Sequence, residues 1–131
     1  MTTHFPILGL DFGTVRIGLA IARTWIAEPY LILTQTDQVI AQIKDICQKE
    51  QVRILVVGVS EGQMEVLSRQ FGHKLESELG LPVIFFDETL TSHDSQIKLR
   101  QIGKKSRHID HYAACQILQT YLDTIDDGQQ L

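Results

Sequence analysis

Acidic residues stand at or just after the ends of apolar segments in several places along this chain of 131 residues. Asp11 closes one apolar segment, Glu61 follows a second, and Asp87 and Glu88 directly follow a third. Asp110 stands at the start of the last predicted helix. A buried carboxylate is costly unless it is paired or bound to a cation, and neighbouring carboxylates repel one another. Several acids that converge in the fold would therefore be explained by a shared divalent cation.

The ligand type indicates which cation this would be. Carboxylate oxygens are hard ligands, which favour Mg²⁺ or Mn²⁺, and the chain has no clustered thiols that would suggest zinc. Ions of this kind can activate an attacking water and stabilise the leaving oxygen of a phosphodiester. The acids therefore predict the chemistry of a nuclease.

Each acid also has a purely structural interpretation. Asp11 could only set a turn, and Asp110 could only cap its helix. Glu61 could simply favour the N-terminal end of a helix dipole. Successive side chains of a strand point to opposite faces, so one of Asp87 and Glu88 is expected in solvent, and spacing alone leaves open which one. The metal interpretation depends on several of these acids meeting at one place.

Basic residues cluster late in the chain, with no acid among the residues between them. The cluster consists of Lys98, Arg100, Lys104, Lys105 and Arg107. The formal net charge is −4, so the protein as a whole does not attract a polyanion, and nucleic-acid binding must use a local patch. We predict that this basic cluster docks phosphates, with a solvated surface as the structural alternative.

Five short apolar segments have the composition of strands and place the acids at their ends. Their predicted bounds are Ile7–Phe12, Ile17–Ala22, Tyr30–Leu33, Ile54–Val59 and Val83–Phe86. The first two are joined by a turn at Gly13 and Thr14. Pro29 cannot donate a ladder hydrogen bond, so we expect the third strand to begin after it.

Apolar residues at helical spacing predict helices between and after these strands. The first helix starts near Asp37, with Thr36 or Asp37 as its N-cap. The second is closed by Gly80 and has one apolar stripe. That stripe consists of Met64, Leu67, Phe71, Leu75 and Leu79. Two further helices are predicted over residues 92–102 and 110–123.

The resulting order is β-β-β-α-β-α-β-α-α, in a single α/β domain over residues 1–131 with a frayed tail at 126–131. It predicts a five-stranded mixed sheet with helices packed on it. The first, fourth and fifth strands run parallel, so their carboxyl ends share the edge where such sheets bind ligands. Asp110 precedes Ala113 and Ala114 on an apolar helical stripe, so its side chain is expected to face the protein.

The chain has the features of a cytoplasmic protein. No apolar stretch is long enough to cross a bilayer, and the N-terminus lacks the pattern of a secretory signal. Cys47 and Cys115 lie in helical patterns far from any CxxC spacing, so we predict reduced thiols in the core.

Four motifs, read together in their order, resemble the YqgF family. They are residues 8–18 (LGLDFGTVRIG), 56–58 (VVG), 86–92 (FDETLTS) and 109–114 (IDHYAA). The family is described as Holliday junction resolvases and as nucleases that mature the 5′ end of pre-16S ribosomal RNA. The first motif alone, with its turn residues Gly13, Thr14 and Arg16, also looks like the phosphate loop of sugar kinases and actin-like ATPases. The order of all four motifs therefore carries the resemblance.

The resemblance implies a ribonuclease H-like fold in which Asp11, Glu88 and Asp110 hold the catalytic ions, Mg²⁺ or Mn²⁺. It selects Glu88, and it leaves Asp87 and Glu61 as additional acids near the metal. It also implies a nucleic-acid substrate, either precursor ribosomal RNA or branched DNA. Resolving a symmetric junction would suit a two-fold homodimer.

The chain departs from the family pattern at three points. Thr89 stands where the family usually carries an arginine, His111 replaces a common serine, and the segment after the fourth strand is shortened. Losing the arginine removes a phosphate or carboxylate contact. These departures motivate an alternative function, a nucleic-acid-binding module of the same fold with weakened catalysis. A fragment of an actin-like ATPase ranks last, because 131 residues cannot supply its second domain.

Overall fold

The computed structural model describes the backbone of residues 4–88 and 109–129, and the side chains of residues 4–88 and 113–125. The predicted helix over residues 92–102 and the basic cluster lie outside these ranges. Among the helices that the structure describes, none combines the length and apolar character needed to span a membrane.

Strands and helices follow one another along the described chain in the predicted order. They are β1 (Ile7–Asp11), β2 (Arg16–Ala22), β3 (Ala27–Thr34), α1 (Val39–Glu50), β4 (Ile54–Val59), α2 (Gln63–Leu79), β5 (Val83–Asp87) and α3 (Ile109–Gln129). The strands form one sheet in the order β3-β2-β1-β4-β5. β2 pairs antiparallel with β1 and β3, whereas β4 pairs parallel with β1 and β5. The predicted mixed sheet with three parallel strands is confirmed.

The sheet separates two apolar cores, because successive side chains of each strand point to opposite faces. Leu8 and Leu10 of β1 are buried in the core beneath α1 and α2. Ile7 belongs to the other core, together with Ile117 and Leu118 of α3. Burial on both faces explains why the inner strands are apolar throughout rather than alternating.

The buried side of α2 differs from the predicted stripe. Leu67 is 38% exposed, so its predicted burial is wrong, and the buried positions of the helix are Ser68, Gly72 and Leu75. A Cβ at Gly72 would collide with the ring of Phe85, which shows that the helix lies directly against β5 at this turn. This close approach turns the Gly72 side of α2 inward and leaves Leu67 facing solvent.

β3 begins at Ala27, three residues earlier than predicted, and it includes Pro29. The prediction that Pro29 precedes the strand is therefore wrong. Pro29 pairs with Ala20 next to a register shift at which Tyr30 is an extra residue. A proline is tolerated in an edge strand and at a bulge, and β3 stands at one end of the described sheet order.

The start of α1 also differs from its prediction. The helix begins at Val39, and Gln38 occupies the cap position without a side-chain hydrogen bond. The Thr36 hydroxyl accepts a 3.1 Å hydrogen bond from the backbone N–H of Gln38, within the turn that precedes the helix. Neither Thr36 nor Asp37 is therefore the N-cap.

The other helix ends agree with prediction in one case and differ in another. Gly80 ends α2 in the left-handed conformation, with φ of 70°, as its position predicted. α3 continues to Gln129 rather than ending near Asp123, so residues 126–129 of the predicted tail are helical.

A buried glutamine fixes the direction in which α3 crosses the sheet. The Oε1 of Gln119 accepts a hydrogen bond from the backbone N–H of Ala27 at 2.8 Å, and its Nε2 donates to the carbonyl of Trp25 at 3.0 Å. Ala27 pairs with Ala22, which pairs with Ile7, so these bonds lie where β1 begins. α3 therefore runs antiparallel to β1, and its first turn lies toward the end of that strand.

Replacing Gln119 with leucine keeps much of the side-chain volume but removes three hydrogen bonds, to Ala27, Trp25 and Asp123. The buried backbone N–H of Ala27 and the partly buried carbonyl of Trp25 then lose their partners, so we expect the free energy of unfolding to fall by roughly 2–4 kcal/mol. Urea denaturation measures this change. Gln42→Leu, on the exposed side of α1, is the matched control. Equal losses in the two variants would contradict the role assigned to Gln119.

Candidate functional site

The ends of β1, β4 and β5 lie at one edge of the sheet, which we call the acid edge. Its acids are Asp11, Glu61, Asp87 and Glu88. The strand pairing places Leu10 beside Val57, and Val59 beside Asp87. The three strands therefore end at nearly the same position along the strand direction. The predicted meeting of these strand ends at a single edge is confirmed.

Asp11 belongs to the face of the sheet that α3 covers. Gly9, two residues earlier on that face, is so close to α3 that a Cβ there would lie 2.9 Å from the Cβ of Leu118. Phe12 points to the opposite face, where its ring packs on Phe71 of α2 with 5.1 Å between centroids. Strand alternation therefore assigns Asp11 to the α3 side.

The same alternation separates the two neighbouring acids that follow β5. Phe85 packs against α2, whereas the ring of Phe86 packs against Tyr121 of α3 with 5.9 Å between centroids. Asp87, the last residue of β5, therefore continues the α2 side, and extending the alternation by one residue beyond the strand assigns Glu88 to the α3 side. Asp87 is exposed, and Glu88 is partly buried. The structure thus gives a reason to prefer Glu88 that spacing alone could not supply.

Glu88 lies in surroundings that disfavour its charged form. Burial raises the pKa of its carboxyl group above the ordinary value, and the negative charge of Asp87 raises that pKa further. A divalent cation beside Glu88 would oppose both effects, because it stabilises the carboxylate. The chemistry of this donor therefore fits a cation ligand.

Two glycines allow α3 to lie close to the sheet beside the acid edge. A side chain at Gly58 of β4 would collide with Ile117, much as one at Gly9 would collide with Leu118. Asp110 lies in the first turn of α3, seven residues before Ile117 and so about 10 Å away along the helix axis. The side chain of Asp110 lies outside the described residues, but the helix direction brings its backbone toward the acid edge.

The turn after Asp11 is held by a residue that the sequence did not single out. The Nε2 of Gln35 donates a 3.0 Å hydrogen bond to the carbonyl of Gly13, and the Gln35 backbone N–H donates a 2.9 Å bond to the carbonyl of Val15. A Cβ at Gly13 would collide with the carbonyl oxygen of Arg16, so only glycine fits this predicted turn position. Gln35, the residue directly after β3, thus stabilises the turn that follows Asp11.

Not every predicted ligand takes part in a cluster. Within residues 4–88 and 113–125, no three acids, cysteines or histidines lie close enough to hold a metal ion. Glu61 is exposed in the turn before α2. The predicted set of Asp11, Glu88 and Asp110 includes a side chain outside those ranges, and so do the predicted contacts of the basic cluster.

Both cysteines are free thiols in the core, as the sequence predicted. Cys47 is a buried residue of α1, and Cys115 is a buried residue of α3. Burial raises the pKa of the Cys47 thiol to about 11, so this side chain stays protonated at neutral pH.

Solved structures share this fold. RuvC of Thermus thermophilus in complex with a Holliday junction substrate aligns with a TM-score of 0.73 and 14% identity, covering 95% of this chain and 97% of that one. Another Thermus thermophilus RuvC structure aligns with a TM-score of 0.69 and 15% identity, covering 93% and 96%. Identity this low shows the fold alone, which is ribonuclease H-like, as predicted.

Sequence comparison identifies the family. The model of the RuvX family, described as Holliday junction resolvase, matches residues 6–124. A protein of Anaeromyxobacter dehalogenans strain 2CP-1 is 37% identical over 130 residues, which cover 88% of this chain and 95% of that protein. One of Coxiella burnetii strain CbuK_Q154 is 35% identical over 127 residues, covering 88% and 90%. Both carry the name "Putative pre-16S rRNA nuclease". The chain therefore belongs to the RuvX family, a family of nucleases, and the YqgF resemblance is confirmed.

The raised pKa of Glu88 has a consequence for stability. Folding disfavours the ionised carboxylate of Glu88. In the metal-free protein, the contribution of this group to stability is therefore fully present below its ordinary pKa and is lost as the pH rises through its raised pKa. Glu88→Gln should therefore raise the melting temperature at pH 7 in EDTA. We expect the free energy of unfolding to increase by about 1 kcal/mol or less, because solvent screens this partly buried group.

Thermal unfolding of the wild type and Glu88→Gln at pH 7 and at about pH 4 tests the expectation, since the gain should vanish in acid. Glu61→Gln, at an exposed acid of the same edge, is the control. A gain that persists unchanged at the lower pH would show that the effect does not come from ionisation.

Proposed function

We propose that this protein hydrolyses phosphodiester bonds of structured nucleic acid, and that Asp11, Glu88 and Asp110 bind the divalent ions that this requires. The proposal is supported by the strand alternation, which assigns Asp11 and Glu88 to the same face, and by the direction of α3, whose first turn contains Asp110. Their carboxylate oxygens suit Mg²⁺ or Mn²⁺. Such ions, when bound, supply the charge that activates water and stabilises the leaving oxygen.

The residues of the chain contribute position and electrostatics. Asp11 is fixed by the end of β1 and by the turn that Gln35 fastens. A cation beside Glu88 would favour its carboxylate form, against the effects of burial and of the charge of Asp87. Asp110 is proposed to complete the set from a helix that two glycines hold against the sheet. The basic cluster would hold the phosphate backbone without reading sequence.

The substrate proposal follows the names of the relatives. Their shared name supports a nuclease that acts on pre-16S ribosomal RNA. The family resemblance implies maturation of the 5′ end of this RNA, which would take place in the cytoplasm during ribosome assembly. The family description and the RuvC complex support branched DNA as a second substrate. A two-fold homodimer would suit a symmetric junction, because such a dimer presents two identical sites.

A catalytically weakened binding module is the competing function. This alternative is suggested by Thr89, which stands where the family usually has an arginine. Thr89 lies outside the described residues. Such a protein would bind nucleic acid with an affinity that falls with salt concentration, and it would cleave nothing with any divalent metal.

Cleavage of a four-way DNA junction and of a precursor-rRNA mimic, each with Mg²⁺ and with Mn²⁺, separates these functions. We expect cleavage by the wild type and a loss of at least about 100-fold in Asp11→Asn and Glu88→Gln, since each removes a ligand charge. Asp87→Asn is the matched control, because Asp87 neighbours Glu88 but lies on the α2 side. Full activity in Glu88→Gln would refute the ligand assignment, and an inactive wild type would favour the binding module.

The approach of α3 to β1 gives a second test of the site. In Gly9→Ala the new methyl group meets Leu118 and displaces the helix that contains Asp110, so we expect a loss of roughly 1–3 kcal/mol in stability. Because small misplacements strongly reduce catalysis, activity should fall by about 10- to 100-fold in the folded protein.

Gly80→Ala provides the matched control for this test. Its φ of 70° makes alanine strained there, yet the site has open space and lies far from α3. Stability and cleavage rate are measured for both variants at the same folded fraction. Equal rates in the two variants would show that the spacing between α3 and β1 does not position the acids.

A further inference from the structure

A groove opens at the acid edge on the side of α1 and α2, across the sheet from Asp11. Its volume is about 350 Å³, and it lies between the end of β3, the start of α1 and the middle of α2. The residues that matter for its chemistry are Gln35, Asp37, Ile40, Phe71 and Lys74. The volume falls within the range of small-ligand sites.

Two contacts join this groove to the turn that follows Asp11. The Nε2 of Gln35 donates to the carbonyl of Gly13 at 3.0 Å. The ring of Phe71 packs on Phe12 with 5.1 Å between centroids. Phe12 and Gly13 are the two residues directly after Asp11, so the groove wall and the proposed metal ligand are parts of one packed unit.

The wall offers both an apolar surface and opposite charges. Phe71 and Ile40 are partly buried, and they supply an aromatic ring and an aliphatic side chain. Asp37 and Lys74 are exposed on the rim, and no ion pair joins either of them to another of the described residues. Asp37 would repel a phosphate group placed inside the groove. A neutral, flat ligand with donors and acceptors on its edge fits these groups better.

We propose that the groove holds an unpaired nucleobase of the substrate, packed against Phe71 with its polar edge toward Asp37 and Lys74. The proposal rests on the proposed nuclease function. Aromatic side chains bind bases of any sequence through their flat faces. The Asp37 carboxylate accepts hydrogen bonds, so it should favour guanine, whose exposed edge carries two adjacent donors (N1–H and the amino group), over uracil and thymine, which carry one (N3–H).

The position of the groove indicates which part of the substrate it would bind. Asp11 belongs to the α3 side, and the groove lies on the other side of the same edge. A strand with its scissile phosphate near Asp11 must cross the edge before a base can enter the groove. The bound base is therefore separated from the cleavage site along the strand, and it must be free of its pairing partner. Such a site would select unpaired extensions or branch points over continuous duplex.

Equilibrium binding in EDTA tests the proposal without any cleavage. The probe is a short labelled duplex with a single-stranded extension, prepared as DNA and as RNA, in which one abasic position is moved through the extension. Fluorescence anisotropy should show one position where loss of the base weakens binding by about 5- to 100-fold. In Phe71→Leu that difference should disappear, because the leucine still packs on Phe12 but offers no flat ring.

Two charge variants complete the test. Lys74→Gln should weaken binding of the intact probe more than Lys44→Gln, which removes the same charge from a cavity formed with Cys47 and Val52 instead. Asp37→Asn should reduce the preference for guanine over uracil. Binding that is insensitive to every abasic position, or an abasic penalty that Phe71→Leu leaves unchanged, would overturn the proposal.

The outcome is independent of the metal assignment. Because binding is measured without divalent ions, an inactive enzyme could still show the base-dependent position. Conversely, a fully active nuclease with no such position would refute the groove and leave the roles of Asp11 and Glu88 intact.

Discussion

The close approach of α3 to β1 and β4 is the contact on which the arrangement of acids depends. Gly9 and Gly58 lack side chains at the two points where Leu118 and Ile117 meet the sheet. With a larger residue at either position the helix would have to move outward, since packed interiors tolerate little added volume. The same helix contains Asp110 in its first turn. The packing of α3 on the sheet therefore also determines where the backbone of Asp110, a proposed metal ligand, lies.

Carboxyl groups at the two ends of the sheet have pKa values shifted in opposite directions. At the end away from the acid edge, Glu50 accepts hydrogen bonds from the Tyr30 hydroxyl at 2.8 Å and the Arg23 guanidinium at 2.9 Å. These bonds lower the pKa of Glu50, with the Tyr30 bond as the larger cause. At the acid edge, burial and Asp87 raise the pKa of Glu88 instead. The surroundings therefore favour the ionised form of Glu50 and disfavour that of Glu88, and perturbed carboxyl groups of this kind are common at functional sites.

The sequence predicted those features that have a local pattern. Apolar segments marked every strand that the structure describes, and their order implied the parallel β1, β4 and β5 that bring the acids to one edge. Pro29 misled the prediction, because its effect depends on β3 being an edge strand with a bulge, which only the assembled sheet shows. Gln35 and Gln119 were not anticipated, since each bonds to backbone groups far away in sequence. The choice between Asp87 and Glu88 likewise needed to know which helix covers which face.

The distribution of charge bears on how an acidic protein could hold a polyanion. The net charge is −4, and within the described residues Arg23 and Arg69 are already paired with glutamates. Little of their charge is therefore available to phosphates at long range. The basic cluster lies in sequence between Glu88 and Asp110, so the chain that joins two proposed ligands also carries the excess positive charge. If this segment binds phosphates as proposed, that binding would be linked along the chain to both proposed ligands.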